Sequence, residues 1–210
     1  MLTPVFGISV FALLYFAATF FYPGGSNADK TTAGFDWFNN YWCDLTGQFA
    51  KNGEINSARP IALTAMIILC STLAMFWFYV PRLFSGNKFY QVIRYAGITS
   101  MAIAVFLFTG FHDSVINVAG TLGIAALTGV LIGLYKNNLT KLFGYGVFCL
   151  GLMLFNYFIY ETGFLIASLP IIQKATFVLF LVWICSINVY LYRTTKNEQL
   201  QQIQTTRQKT

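Results

Sequence analysis

Charge is scarce in this chain. Thirteen Lys and Arg and seven Asp and Glu make up 10% of 210 residues, where a soluble domain carries about a quarter. A chain 57% hydrophobic and 18% aromatic, with mean hydropathy +0.62, has too little polar surface to face water on all sides. There is one histidine, His112, which cannot bis-ligate haem or build a His-rich zinc site. The four cysteines, Cys43, Cys70, Cys149 and Cys185, contain no C-x-x-C pair, which excludes zinc fingers and thioredoxin chemistry. They read as small apolar packing residues. H-E-x-x-H, G-x-S-x-G and P-loop signatures are all missing. No cofactor and no metal is expected. The N-terminus has no basic stretch ahead of its first apolar run, so that run reads as a retained span and not as a cleaved signal.

What is present is a set of long apolar runs. A membrane helix needs about 20 mostly apolar residues. Six runs qualify, at about 3–22, 60–81, 95–112, 115–135, 142–161 and 171–192. From Tyr95 to Tyr135, across the third and fourth, the only charged or titrating pair is His112–Asp113. A single helix over both would be about 60 Å long, twice the hydrocarbon thickness, so the chain is expected to reverse at that pair. The expected fold is therefore all-α: an integral membrane protein with an antiparallel bundle of six transmembrane helices over residues 1–192. A mobile cytoplasmic tail is expected over 193–210.

Charge fixes the expected orientation. The segments after the second, fourth and sixth runs hold Arg82, Lys88, Arg94, Lys136, Lys141, Arg193, Lys196, Arg207 and Lys209, with Glu198 the one acid. The segments after the first, third and fifth hold six of the seven acids, Asp29, Asp36, Asp44, Glu54, Asp113 and Glu161, with Lys30, Lys51, Arg59 and Lys174. Cytoplasmic loops are enriched in Lys and Arg, so both termini are expected inside, with a bacterial inner membrane as the location. The net charge of +6 flanks apolar runs and forms no separate basic patch, so no nucleic-acid partner is expected. The expected partner is membrane lipid. Gly129-x-x-x-Gly133 has the small-residue spacing of close helix contacts, and could serve packing within the chain or a helix partner outside it. Asn138-Leu139-Thr140 matches a glycosylation acceptor but falls on the expected inner side.

The outer loop 23–57 is the one long connection. Its first part, PGGSNADKTTAG, reads as disordered. Its second part, FDWFNNYWCDL, is half aromatic. Drawn as a helix, it places Asp36, Asn40 and Asp44 on one strip, Trp37, Tyr41 and Leu45 beside it, and Phe38, Trp42 and Phe49 on a broader apolar face. A short amphipathic helix at the outer interface is expected, ending near Gly47. Asp36 and Asp44 would either solvate its wet side or cap the bundle as a carboxylate pair able to hold a cation or exchange protons.

Candidate catalytic residues are His112, Asp113, Asp44, Asp36 and Glu161; candidate binding residues are Arg59, Asn117, Tyr160 and Lys174. Ionisable groups at span ends also serve as plain anchors, and Glu161–Lys174 and Asp113–Arg59 ion pairs are the expected structural alternative. Thr72, Ser100, Asn156, Ser186 and Asn188 lie deeper and are expected to bond between helices. Three functions stay open: a non-enzymatic membrane component (sensor, assembly partner or lipid-binding module), an enzyme acting on lipid headgroups through His112 and outer carboxylates, and a small-solute or ion permease lined by Asn156 and Asn188.

Three short motifs carry a resemblance. They are Cys43-Asp44-Leu45-Thr46-Gly47 at the end of the outer loop, Asn56-Ser57-Ala58-Arg59-Pro60 at the entry to the second span, and His112 at the outer end of the third. In these the chain resembles the six-span bacterial membrane family known as domain of unknown function 998, and more distantly the Frag1/DRAM/Sfk1 group. Asp113 departs from the apolar residue expected after the histidine. The resemblance implies a six-span fold and a membrane location, and no activity.

Overall fold

A computed structural model describes residues 1–84, 88–108 and 112–207; of these, the side chains of Leu107, Phe108, His112, Asp113, Ile116 and Arg207 are outside the description. The architecture is all-helical. Six long helices follow in order: α1 Thr3–Thr19, α2 Arg59–Tyr79, α3 Lys88–Ala104, α4 His112–Lys136, α5 Thr140–Thr162 and α6 Leu169–Arg207. Among the described residues, β structure is limited to two isolated bridges, Gly24 with Ala33 and Phe49 with Ile55. Each helix packs on the next in sequence, and α6 returns to α1. The up-and-down order gives the bundle a cap end, where loop 20–58 sits, and a tail end, where α6 projects.

The stretches Arg59–Leu83, Asn117–Lys136, Thr140–Thr162 and Ile166–Thr206 are long and apolar enough to cross a membrane. α1 is apolar but only 17 residues long. It stops at Thr19, short of the expected 22, because the chain there turns into the cap and Tyr22 Oη accepts the Lys51 N–H at 2.9 Å. α3 begins at Lys88, seven residues before the expected start. Its early cation is accommodated on aromatic rings: the Arg94 guanidinium lies 4.8 Å from the Phe78 ring centre. Arg82 lies 5.1 Å from that of Tyr79. Cation–π contact of this kind lets a basic side chain sit on an otherwise apolar helix.

The expected reversal at His112–Asp113 adjoins residues 109–111, which lie outside the described residues. The α4 backbone is already helical at His112, so the pair occupies the first turn of α4. At the other end, the segment expected to be a mobile tail continues α6 as helix to Arg207. No Gly or Pro occurs from 171 to 207, so no residue there interrupts the hydrogen-bond ladder.

The core runs through the middle of the bundle: Phe11, Leu69, Phe76, Trp77, Leu127, Val130, Leu134, Trp183, Ile184 and Ile187 are all buried. Close helix approach depends on glycine at the contacts. A Cβ at Gly97 of α3 would lie 2.1 Å from Trp77 Cδ2 of α2. One at Gly129 would meet the Ile93 side chain, and one at Gly133 the Phe84 ring. Both glycines of the α4 motif are therefore occupied by contacts within the chain. Of the deep polar groups, Ser100 Oγ donates to Ala119 O across α3–α4 at 2.7 Å. Asn156 Nδ2 donates to Thr176 Oγ1 across α5–α6 at 2.7 Å. Ser186 and Asn188 instead bond back to their own helix, at Val182 O and Ile184 O. Thr72 packs against Gly7 of α1.

Candidate functional site

The cap is folded, including the part expected to be disordered. Gly25 N–H donates to Thr32 O at 2.7 Å, and Ser26 N–H to Asp29 O at 2.7 Å, closing a tight hairpin. Gly25 has φ +78, and a Cβ there would lie 2.4 Å from Asn52 N, so glycine is required on both counts. A second turn closes with Ala50 N–H donating to Glu54 O.

Between these turns the expected amphipathic helix is replaced. Residues 37–39 form a turn, and Trp42–Thr46 form one short 3-10 helix. The cause is competition for backbone groups. Asp36 Oδ1 accepts the N–H of Phe38 at 2.9 Å and of Asn39 at 3.2 Å. Asn40 Oδ1 accepts the Asp36 N–H at 2.8 Å, and Asp44 Oδ2 accepts the Tyr41 N–H at 2.9 Å. Asp and Asn side chains that bond nearby backbone draw it away from helix. Of the strip expected either to face water or to cap the bundle, Asn40 and Asp44 are turned inward and Asp36 is half-buried. Asn40 is 0% exposed and Asp44 8%.

Asn40 is the hub. Its Nδ2 donates to Gly25 O at 2.9 Å and to Asp44 Oδ2 at 3.0 Å. Its backbone carbonyl oxygen accepts from Lys174 Nζ of α6. Asp44 Oδ1 lies 3.4 Å from Lys51 Nζ. A buried charge is tolerable only when paired and hydrogen-bonded, and this carboxylate is both. Lys174, buried, also lies 5.9 Å from the Phe35 ring centre. It therefore turns to the cap and not to Glu161, which is exposed on α5. Asp36 is held below the usual carboxylate range, first by the Asn39 side-chain amide, then by the Phe38 and Asn39 N–H groups and the charge of Lys174.

The first two motifs of the sequence are two halves of one contact. Asn56 Nδ2 donates to the carbonyls of Asp44, Leu45 and Gly47 at 2.9–3.1 Å. Arg59 Nε donates to Thr46 O at 3.2 Å. Aromatic packing then seats the cap on the bundle. Tyr15 Oη donates to Trp42 O at 2.9 Å, and their ring centres are 4.9 Å apart. Trp42 in turn meets Phe177 of α6.

Of the candidate residues, Asp36, Asp44, Arg59 and Lys174 gather in the cap. Tyr160, Glu161 and Asn117 are exposed on α5 and α4. His112 and Asp113 fall outside the described side chains. Among the described residues no three His, Cys, Asp or Glu side chains gather as a metal site. Chemically, the cap is a latch: the Asp36 and Asp44 carboxylates already accept N–H donors or face a lysine, and little of their bonding capacity is left for a substrate. Asn40, Lys51 and Asn56 were not among the sequence candidates. The signal for Asn40 was the density of Asp and Asn between aromatic residues, which marks side-chain-bonded turns as readily as a helix face.

A different kind of site lies toward the tail end. A groove of about 900 Å³ runs between α1, α6 and the start of α5. Ile8 and Ala12 of α1, Val178, Val182 and Cys185 of α6, and Leu142 of α5 form its walls. Asn138, Lys141, Tyr190 and Arg193 close its tail end. The volume falls in the range of ligand pockets, and the pattern of apolar walls with a few polar groups at one end is theirs too. The sequence gives no sign of it, because its walls come from residues about 180 positions apart. No family model, no curated protein and no solved structure matches this chain.

Proposed function

We propose that the chain is a non-enzymatic component of a bacterial inner membrane, a six-span bundle with both termini cytoplasmic, whose task is to bind lipid in the groove between α1 and α6. The groove carries this reading. It is lined by apolar side chains, opens on the flank of the bundle, and ends in basic residues at the end where Lys and Arg are concentrated. In a bilayer that flank faces acyl chains, and the basic end lies at the cytoplasmic headgroups. The cap supports the same reading from the other side. Asp36 and Asp44 are spent on holding the fold, which takes support from an enzyme built on them. The apolar core at mid-depth likewise favours no solute path.

The test is native mass spectrometry of the full chain released from detergent. Lipid should stay bound, and Ala12→Phe, which fills the groove from an exposed position on α1, should lose it. A bare wild-type chain, or undiminished lipid on Ala12→Phe, would overturn the proposal.

A further inference from the structure

We infer that the groove selects an anionic phospholipid of the cytoplasmic leaflet, with an acyl chain along α6 and its phosphate between Lys141 and Arg193; this rests on the lipid-binding reading above.

At the tail end, Arg82 and Arg94 are stacked on Phe78 and Tyr79. Lys141 and Arg193 both line the groove, both are exposed, and neither makes an ion pair among the described residues. The one acid of this end, Glu198, lies five residues farther along α6. Two cations at one mouth repel each other until an anion enters between them. Arginine in particular matches a phosphate with two parallel N–H donors.

Geometry sets the rest of the ligand. From Val178 to Arg193 the α6 wall runs about 22 Å. Val178, Leu181, Val182, Cys185 and Val189 recur on one face of it, so a long apolar chain lies against continuous apolar surface before reaching the basic end. Tyr190 sits one turn before Arg193, where an amphipathic ring suits the headgroup boundary. The first turn of α5, Thr140–Leu142, also lines this mouth, and no side chain caps that helix. Its free N–H groups add donors beside the two cations. A zwitterionic lipid would bring its own cation to the same place and lose much of the attraction.

The test uses the delipidated full chain in detergent, titrated separately with dioleoyl phosphatidylglycerol and dioleoyl phosphatidylcholine and read by native mass spectrometry. Each basic residue near a membrane surface favours an anionic lipid roughly fivefold, so a preference of about thirtyfold is expected. Lys141→Gln and Arg193→Gln should each remove about fivefold, and the double variant should bind both lipids equally. Ala12→Phe should weaken both lipids alike. A full preference in the double variant would overturn the headgroup assignment. Equal binding of both lipids by the wild type would overturn the anionic selection and leave the lipid-binding reading standing. No binding of either would defeat that reading itself. Displacement of bound lipid by glycerol phosphate at matched concentration would reassign the site to a soluble phosphate.

Discussion

Asn40→Ala should open the cap while leaving the helices in place. The side chain makes three hydrogen bonds in a fully buried setting: from the Asp36 N–H, to Gly25 O, and to the Asp44 carboxylate. The two neutral bonds contribute about 1 kcal/mol each and the charged one about 2, so the loss is about 4 kcal/mol. Alanine has nothing with which to satisfy the Gly25 carbonyl or the Asp36 N–H. The assay is backbone hydrogen exchange in detergent, read at Tyr41, whose N–H bonds Asp44, and at Lys51, whose N–H bonds Tyr22. At 1.4 kcal/mol per decade, protection should fall about 700-fold, or to the unprotected rate if that comes first. Asn39→Ala is the control. Its neighbouring side chain makes one bond, to the Asp36 carboxylate, and is half-buried, so the loss is at most about 2 kcal/mol and protection should fall by no more than about 30-fold. Protection within tenfold of wild type in Asn40→Ala would refute the assignment of Asn40 as the hub.

Acid should loosen the same cap. Because the Asp36 carboxyl is depressed in the folded state, its stabilisation is complete above the unfolded value of about 3.9 and is lost as pH falls through the folded one. Fluorescence of Trp37 and Trp42 should report the change below about pH 4, and an undiminished transition in Asp36→Asn would contradict the assignment. Gly97→Ala should cost about 1–3 kcal/mol by forcing α2 and α3 apart at Trp77, whereas Gly144→Ala, with open space at its Cβ, should be neutral or stabilising by up to about 1 kcal/mol. Thermal melts in detergent would rank the two, and equal melting points would argue against the α2–α3 contact. Topology is checked by cysteine labelling in a Cys43→Ser background: Asn52→Cys should react with a membrane-impermeant maleimide in intact cells, and Gln201→Cys only after lysis. Reversed labelling would invert the proposed orientation.

Hydropathy made the helices legible because apolar runs longer than about 18 residues have few alternatives. The misreadings have local causes. Lys88 and Arg94 have the character of loop residues, but α3 begins at Lys88, and the Arg94 guanidinium rests on the Phe78 ring of α2. The spacing of Asp36, Asn40 and Asp44 fits a helical strip, and periodicity alone says nothing of side chains that capture backbone N–H groups. Lys174 had an acid near in sequence, Glu161, yet the cap that encloses it comes from 134 residues away. The cap and the groove are both made by distant segments meeting, which one sequence does not encode in any local pattern.

α6 is 39 residues long, about 58 Å, and has no glycine or proline beyond its first turn. Near one end, Lys174 is held by the cap; along the middle, the groove is laid against it; the far end stands clear of the bundle as exposed helix. Such a helix has no joint at which to bend, so it acts as a lever. Any rotation of this rod at the cap would be carried over the roughly 50 Å between Lys174 and Arg207, so a small angle there would become a displacement of several ångströms at the far tip.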